Sequence, residues 1–73
     1  MKKTAKDLLL KESAKIASIT NFNLEDLGFI PGENITIMAE LTRQGPKAVR
    51  VGQSTFALST AELEAIIIDD DVR

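Results

Sequence analysis

The residues with the clearest chemical potential are three consecutive aspartates, Asp69, Asp70 and Asp71. Clustered carboxylates suit hard cations such as Mg²⁺ and Ca²⁺, and Fe²⁺ also accepts oxygen ligands. Successive residues of an extended chain point in opposite directions, however, so adjacent carboxylates rarely converge on one ion. Neighbouring acids at a chain end usually form a solvated tail. We therefore expect residues 70–73 to be an acidic tail and predict no metal site.

Enzyme chemistry is disfavoured by what the sequence lacks. It contains neither histidine nor cysteine, which removes the usual general base, the thiolate nucleophile and the soft metal ligands. No serine is grouped with a base. The chain has only 73 residues, and a deep ligand cavity would remove packing that so small a domain needs. We predict a single domain over residues 1–73 that is not an enzyme, holds no cofactor and works through its surface.

The charge distribution disfavours nucleic acid and membranes as direct ligands. Net charge is −2, with five lysines in residues 1–15 and five acids in residues 62–73. Nucleic-acid binders usually combine a basic surface with aromatic side chains for stacking, whereas the only aromatic residues here are Phe22, Phe29 and Phe56. No apolar run approaches the roughly 20 residues of a membrane span, and Leu8–Leu10 is too short for a signal-peptide core. A cytoplasmic protein is expected.

The rest of the chain is organised around a corner at residues 27–32. Gly28 follows Leu24 and Leu27, which share one helix face, so it stands where a helix-ending residue of positive φ belongs. Pro31 and Gly32 suit the two central positions of a type II turn. The sequence therefore predicts that a short helix ends here and a strand begins.

Hydrophobic alternation and turn residues predict five strands. The clearest runs from Glu33, with Ile35, Ile37, Ala39 and Leu41 on one face and Asn34, Thr36, Met38 and Glu40 on the other. The others are residues 14–20, with an irregularity near Ala17 or Ser18, residues 47–51 and 54–58, joined by a hairpin at Gly52-Gln53, and residues 65–68. Val49 and Val51 are expected inward, and Phe56 and Leu58 on one face.

Short helices and an N-terminal arm complete the prediction. Ser59 and Glu62 match a capping box, which predicts one helical turn over residues 60–64. Residues 1–13 form an arm: Thr4 and Asp7 resemble a cap, so residues 5–10 are either one or two helical turns that place Leu8 to Leu10 on the core, or a partly frayed segment. Apolar faces of this kind are commonly buried by curling one sheet, so we predict a mostly β, small five-stranded, partly open barrel with one or two short helices.

Two groups of residues are candidate partner contacts. Leu24, Leu27 and Phe29 either plug the core or present an apolar docking surface, and Leu24 could do both. Arg43 and Lys47 either meet an acidic partner from a loop at the barrel rim or belong to an ordinary exposed hairpin.

The ordered series of these elements resembles the FeoA family of small SH3-like domains associated with bacterial ferrous iron uptake. The segments that carry the resemblance are KIASI at Lys15–Ile19, LEDLGFIPG at Leu24–Gly32, QGPKAVRVG at Gln44–Gly52 and FALSTAELEAIII at Phe56–Ile68. The resemblance as a whole covers residues 14–69. Family members usually place arginines where this chain has Asn23 and Ser59, so a role that rests on those arginines does not transfer.

The resemblance implies a cytoplasmic accessory protein that contacts the membrane-bound ferrous iron transporter FeoB, which carries a GTP-binding domain. A closely similar domain also forms the C-terminal part of some iron-dependent repressors, so a regulatory domain of such a protein is the alternative. Fold likeness alone does not decide between them. A small barrel with an unrelated peptide ligand is a third possibility.

Overall fold

The computed structural model describes residues 3–40 and 45–69 as one antiparallel sheet around a single core. Its strands are β1 (Lys3–Thr4), β2 (Ser13–Ile19), β3 (Asn34–Glu40), β4 (Lys47–Val51), β5 (Ser54–Leu58) and β6 (Ile66–Ile68). A first 3₁₀ helix spans Ala5–Asp7, a second spans Phe22–Leu27, and α1 spans Thr60–Glu64. The strand order is β1-β6-β2-β3-β4-β5. The mostly β class is confirmed, and the described residues form six strands where five were predicted.

The additional strand belongs to the N-terminal arm. In β1, Lys3 lies opposite Ile68 and Thr4 opposite Ile67. The Asp7 carboxylate accepts a hydrogen bond from the Thr4 backbone N–H at 3.1 Å, but the helix that follows has only three residues, Ala5–Asp7. The prediction of helix over residues 5–10 was therefore too long, because the chain leaves the helix to run beside β3.

The arm is also packed rather than frayed. Ala5 and Leu8 are buried in the core, whereas Leu9 and Leu10 are exposed. The Lys11 N–H donates to the Ile37 carbonyl at 2.8 Å. Of the three leucines predicted to fold back onto the core, only Leu8 does so.

The predicted helix end at Gly28 is confirmed in detail. Gly28 has φ of 109°, in the left-handed region that favours glycine. Its N–H donates to the Glu25 carbonyl at 3.0 Å, and the Phe29 N–H donates to the Leu24 carbonyl at 3.1 Å. These are the two hydrogen bonds of a Schellman motif, which satisfies the carbonyl groups at the end of a helix.

The predicted turn at Pro31-Gly32 is likewise present. Gly32 has φ of 96°, and the Glu33 N–H donates to the Ile30 carbonyl at 3.1 Å. The bond closes a four-residue turn with glycine at its third position, as the type II geometry requires. The corner therefore directs the chain from the second 3₁₀ helix into β3.

Strand β3 follows the predicted alternation only as far as Ile37. Ile35 and Ile37 are buried, but the register with β4 shifts between Ile37 and Ala39. An extra residue in one strand reverses the faces of the residues beyond it. Ala39 consequently lies opposite Ala48, and Glu40 opposite Lys47. The prediction that Ala39 continues the inner face was wrong, and Leu41 lies outside the described residues.

The remaining strands follow the prediction closely. Strand β2 has its irregularity between Ile16 and Ser18, where it was expected. Val51 lies opposite Ser54 across the Gly52-Gln53 hairpin, and Gly52 has φ of 60°. The Ser59 hydroxyl accepts from the Glu62 N–H at 3.3 Å, while the Glu62 carboxylate accepts from the Ser59 N–H at 2.8 Å. This capping box begins α1 at the predicted residue.

The core is apolar and draws on every part of the described chain. Its fully buried large side chains are Phe29, Ile16, Leu24, Ile35, Ile37, Leu58, Leu63, Ile66 and Val49. They include Leu58 of β5, at one end of the strand order, and Ile66 of β6, next to the other end, so the sheet must curl around them. The resulting particle measures 27 × 26 × 22 Å.

Candidate functional site

The predicted apolar contact residues divide between the interior and the surface. Leu24 is 1% exposed and Phe29 is fully buried. The Phe29 ring lies 5.7 Å, centroid to centroid, from the ring of Phe56, within the range of attractive aromatic contacts. Leu24 and Phe29 are therefore core plugs in this structure, which leaves Leu27 as the accessible member of the group.

Leu27 belongs to a wider apolar surface at the corner. Phe22 is 76% exposed, Ile30 is 42% exposed and Leu27 is 40% exposed. We call these three residues the corner surface. They lie on the second 3₁₀ helix and in the turn after it, so the Schellman motif and the type II turn fix the backbone that carries them. An exposed phenylalanine and two exposed aliphatic side chains on one ordered segment suit a protein contact.

Phe22 and Ile30 were missed as contact candidates at the level of sequence. Phe22 follows the capping residue Asn21, whose side chain accepts from the Asn23 N–H at 3.0 Å. A residue immediately after a cap stands at the first helical position, here two residues before the buried Leu24, and residues two apart do not share a helix face. That position, next to the exposed acids Glu25 and Asp26, is the signal that could have identified Phe22.

Lys47 is not the exposed rim cation that a docking loop would require. It is the first residue of β4 and is 6% exposed. Its ammonium group donates to the Leu8 carbonyl at 2.6 Å and to the Lys6 carbonyl at 3.0 Å. A carboxylate oxygen of Glu40 lies 3.8 Å away. Lys47 thus holds the N-terminal arm against the sheet, because its ammonium group donates to two carbonyl groups of the arm.

Other predicted residues receive no structural assignment. Arg43 and the aspartates Asp70 and Asp71 lie outside the described residues. Within residues 3–40 and 45–69, no three acidic side chains are grouped so that they could share a metal ion. In the same part of the chain, no helix is long and apolar enough to cross a membrane. Among the predicted contact residues that the structure describes, Leu27 is the exposed one, and it belongs to the corner surface.

Comparison with known proteins identifies one family. The family model of the FeoA domain matches residues 4–70. No match was found among curated proteins.

Solved structures share the fold. The zinc complex of FeoA from Stenotrophomonas maltophilia, described as a procaryotic SH3 domain protein, is 29% identical over 92% of this chain and 89% of that chain, with a TM-score of 0.83. A FeoA-like protein from Clostridium acetobutylicum is 18% identical, covers 99% of this chain and 90% of that one, and has a TM-score of 0.86. A manganese-dependent transcriptional repressor is 14% identical, with a TM-score of 0.79, over 92% of this chain but 40% of its own. The SH3-like fold is therefore confirmed.

Proposed function

The chain belongs to the FeoA family, and on that premise we propose that it is a cytoplasmic, non-enzymatic accessory protein of bacterial ferrous iron uptake. It acts by contact with a FeoB-type transporter, most directly with the cytoplasmic region of that protein. The family is one of small SH3-like accessory domains and is not a known enzyme family.

The observation that carries this proposal is the family match over residues 4–70. The Stenotrophomonas maltophilia FeoA, which shares the fold over 92% of this chain, was described as a candidate activating factor for ferrous iron transport. An accessory role needs no catalytic group, in agreement with a sequence that has neither histidine nor cysteine. It needs an accessible contact surface, which the corner surface supplies.

The corner surface is proposed as part of that contact. Its three large apolar side chains are partly or largely exposed, and burying apolar area contributes about 25 cal/mol per Å². Leu24 and Phe29, which lie between these residues in the sequence, are buried in the core, so the segment that carries the surface is anchored. A partner that covers Phe22 would gain an aromatic anchor, the type of residue that dominates many interfaces.

Affinity capture tests the proposed partner. The tagged full chain is incubated with detergent-solubilised membranes of the source cell, and retained proteins are identified by mass spectrometry. We expect retention of a polytopic transporter that carries a G domain. Repeated capture with no such transporter, from membranes shown to contain it, would refute the proposal.

Paired substitutions test the corner surface. Leu27→Gln should weaken capture while thermal unfolding changes little, because Leu27 is already 40% exposed. Leu9→Gln is the matched control, since Leu9 is 63% exposed and lies in the N-terminal arm. Equal capture by wild type, Leu27→Gln and Leu9→Gln chains would remove the corner surface from the proposed interface.

A regulatory role is the second candidate, and the likeness to a manganese-dependent repressor favours it. The chain covers 40% of that repressor, as a regulatory domain would. Sequencing the gene and its neighbours separates the two roles. A reading frame continuous with a DNA-binding region supports the regulatory role, whereas an adjacent transporter gene supports the accessory role.

A further inference from the structure

A second surface lies on the outer face of the sheet, and none of the three corner-surface residues lines it. It is an open groove of about 510 Å³ along β3, which we call the β3 groove. Its lining includes Lys11, Asn34, Thr36, Met38, Arg50 and Glu33. Because Thr36 lies opposite Ser13 on β2 and opposite Arg50 on β4, the groove crosses the middle of the sheet.

Two cations flank this groove from opposite sides. Arg50 projects from β4 at the level of Thr36, while Lys11 precedes β2 and its N–H donates to the Ile37 carbonyl on β3. An anionic group lying on β3 between Thr36 and Met38 would therefore have a positive charge on each side.

Neither cation forms an ion pair within the described part of the chain, although Glu33 stands in the same lining. The ion pairs there are Lys6 with Glu64 and Lys47 with Glu40. Arg50 uses its Nε–H to donate to the Gly52 carbonyl at 3.2 Å, which leaves the two terminal amino groups of its guanidinium for a ligand. Lys11 has no side-chain partner among the described residues.

The backbone at Lys11 makes this position suitable for a substitution that removes the charge. Lys11 has φ of 72°. Among the described residues, it alone combines a positive φ with a side chain. That conformation is unfavourable for a residue with a Cβ atom, and glycine would adopt it without strain. Hydrogen bonds from the Glu12 N–H to Leu9 and from the Ile37 N–H to Glu12 hold the turn in place. A lysine at this position adds a charge that the turn itself does not require.

We propose that the β3 groove binds an extended acidic peptide segment of a protein partner. Lys11 and Arg50 would each meet a carboxylate, and the Asn34 amide would hydrogen-bond the peptide between them. The Thr36 hydroxyl already shares a hydrogen bond of 2.7 Å with the Ser13 hydroxyl, which leaves it one further donor or acceptor position for the peptide.

Glu33 also lies in the lining and disfavours an unbroken row of negative charges, so the acidic residues of the peptide must be spaced to meet Lys11 and Arg50. Nucleic acid fits less well, because its phosphates form such a row and no aromatic side chain is among the described residues of the lining. A lipid surface fits less well because Met38 is the large apolar residue of the lining.

This inference deepens the proposed function, since it names a second point of contact and the chemistry of the segment bound there. The binding experiment nevertheless uses no transporter, so the groove and the proposed partner are tested separately. Acidic-peptide binding without transporter capture would count against the proposed function alone. Transporter capture that is unchanged when the groove loses its charges would count against the groove.

The experiment titrates the full chain with a fluorescein-labelled Glu-Ser repeat peptide and, separately, with its Gln-Ser counterpart. Fluorescence anisotropy gives the affinity, and backbone amide NMR shifts give the location. We expect the glutamate peptide to bind more tightly at low salt, with shifts concentrated at Lys11, Thr36 and Arg50. Equal affinity for the two peptides, or shifts confined to the corner surface, would overturn the proposal.

Charge-removing variants complete the test. Lys11→Gly should weaken peptide binding by about 1.4-fold to fivefold, as expected for one exposed charge pair, while the thermal midpoint stays equal or rises because the backbone strain is relieved. Arg50→Gln should weaken binding similarly, and Arg50→Lys should restore part of it. Lys3→Gln, on β1 at the far edge of the sheet, is the control and should bind as wild type does.

Two further outcomes would overturn the inference. One is a Lys11→Gly chain that remains folded and binds the glutamate peptide as tightly as wild type. The other is a preference of the same groove for a single-stranded oligonucleotide or for phosphatidylglycerol vesicles over the acidic peptide, because the groove would then belong to a different class of ligand.

Discussion

Replacing Lys47 by methionine isolates the contribution of its ammonium group. Methionine keeps an unbranched apolar stem of similar length, so the packing around the first residue of β4 is largely preserved. The substitution removes the hydrogen bonds to the carbonyl groups of Leu8, at 2.6 Å, and Lys6, at 3.0 Å. Both carbonyl groups belong to the N-terminal arm, so the expected effect is a weaker attachment of the arm.

The magnitude follows from which carbonyl group water can reach. The bond to Leu8 is buried, and an unpaired buried acceptor costs about 1–3 kcal/mol. The bond to Lys6 is only partly buried, so that carbonyl group can be rehydrated at a cost of roughly 0.5–1 kcal/mol. Removing the need to bury an ammonium group offsets part of this cost. We expect Lys47→Met to reduce the free energy of unfolding by about 2 kcal/mol, which for a domain of this size lowers Tm by about 8–16 °C.

Urea unfolding followed by circular dichroism measures that change, and amide hydrogen exchange locates it. Exchange at the Leu8 and Lys11 amides should accelerate more than exchange within the β4–β5 hairpin, because the lost bonds hold the arm. Lys3→Met is the control, since Lys3 is exposed and surface substitutions usually change stability by less than about 0.5 kcal/mol. A Lys47→Met chain as stable as the control would refute the role assigned to Lys47.

Three other substitutions test the corner, the capping box and the core by urea unfolding. Gly28→Ala should cost about 1–2 kcal/mol through backbone strain alone, because the added Cβ would lie an ordinary 3.8 Å from Val51 Cγ1; an unchanged midpoint would contradict this. Ser59→Ala should lower the free energy of unfolding by about 1 kcal/mol because α1 loses its cap. An unchanged free energy of unfolding would mean that the capping box does not stabilise the fold. Leu24→Ala should cost about 2–5 kcal/mol because Leu24 is 1% exposed, and a cost below that of Leu27→Ala would reverse their assignment to core and surface.

The parts of the fold that were predicted correctly depend on contacts between residues close in sequence. The Gly28 helix end, the Pro31-Gly32 turn, the hairpin at Gly52 and the cap at Ser59 each combine a residue of special backbone preference with partners a few positions away. Such features can be recognised in a sequence because all the residues concerned stand together in it.

The parts that were missed depend on distant residues. Strand β1 forms because it can pair with Ile67 and Ile68 at the edge of β6. A strand of two residues is too short to show a sequence pattern that would predict this pairing. The shift after Ile37 is set by the register with β4, so alternation alone put Ala39 on the inner face.

Among the candidate contact residues, too, the burial that was not predicted depends on residues distant in sequence. Lys47 is buried because the arm passes over it, which brings together residues 39 and 41 positions apart. A lysine beside Gly45-Pro46 therefore looked like an exposed loop residue. Leu24, Leu27 and Phe29 were predicted as one group, but only Leu27 is exposed. Which of the three is buried depends on how the second 3₁₀ helix packs on the sheet, and the role of Leu27 in a contact stays a prediction.

The pairing of β1 with β6 also bears on the order in which the chain folds. The β3–β4–β5 segment connects neighbours in sequence, whereas β1 joins β6 across nearly the whole described chain. Closing so long a loop costs conformational entropy before any contact between β1 and β6 forms. The β3–β4–β5 segment should therefore form first, and the terminal strands should dock afterwards. Weakening the arm should then leave the refolding rate almost unchanged and appear instead as faster unfolding.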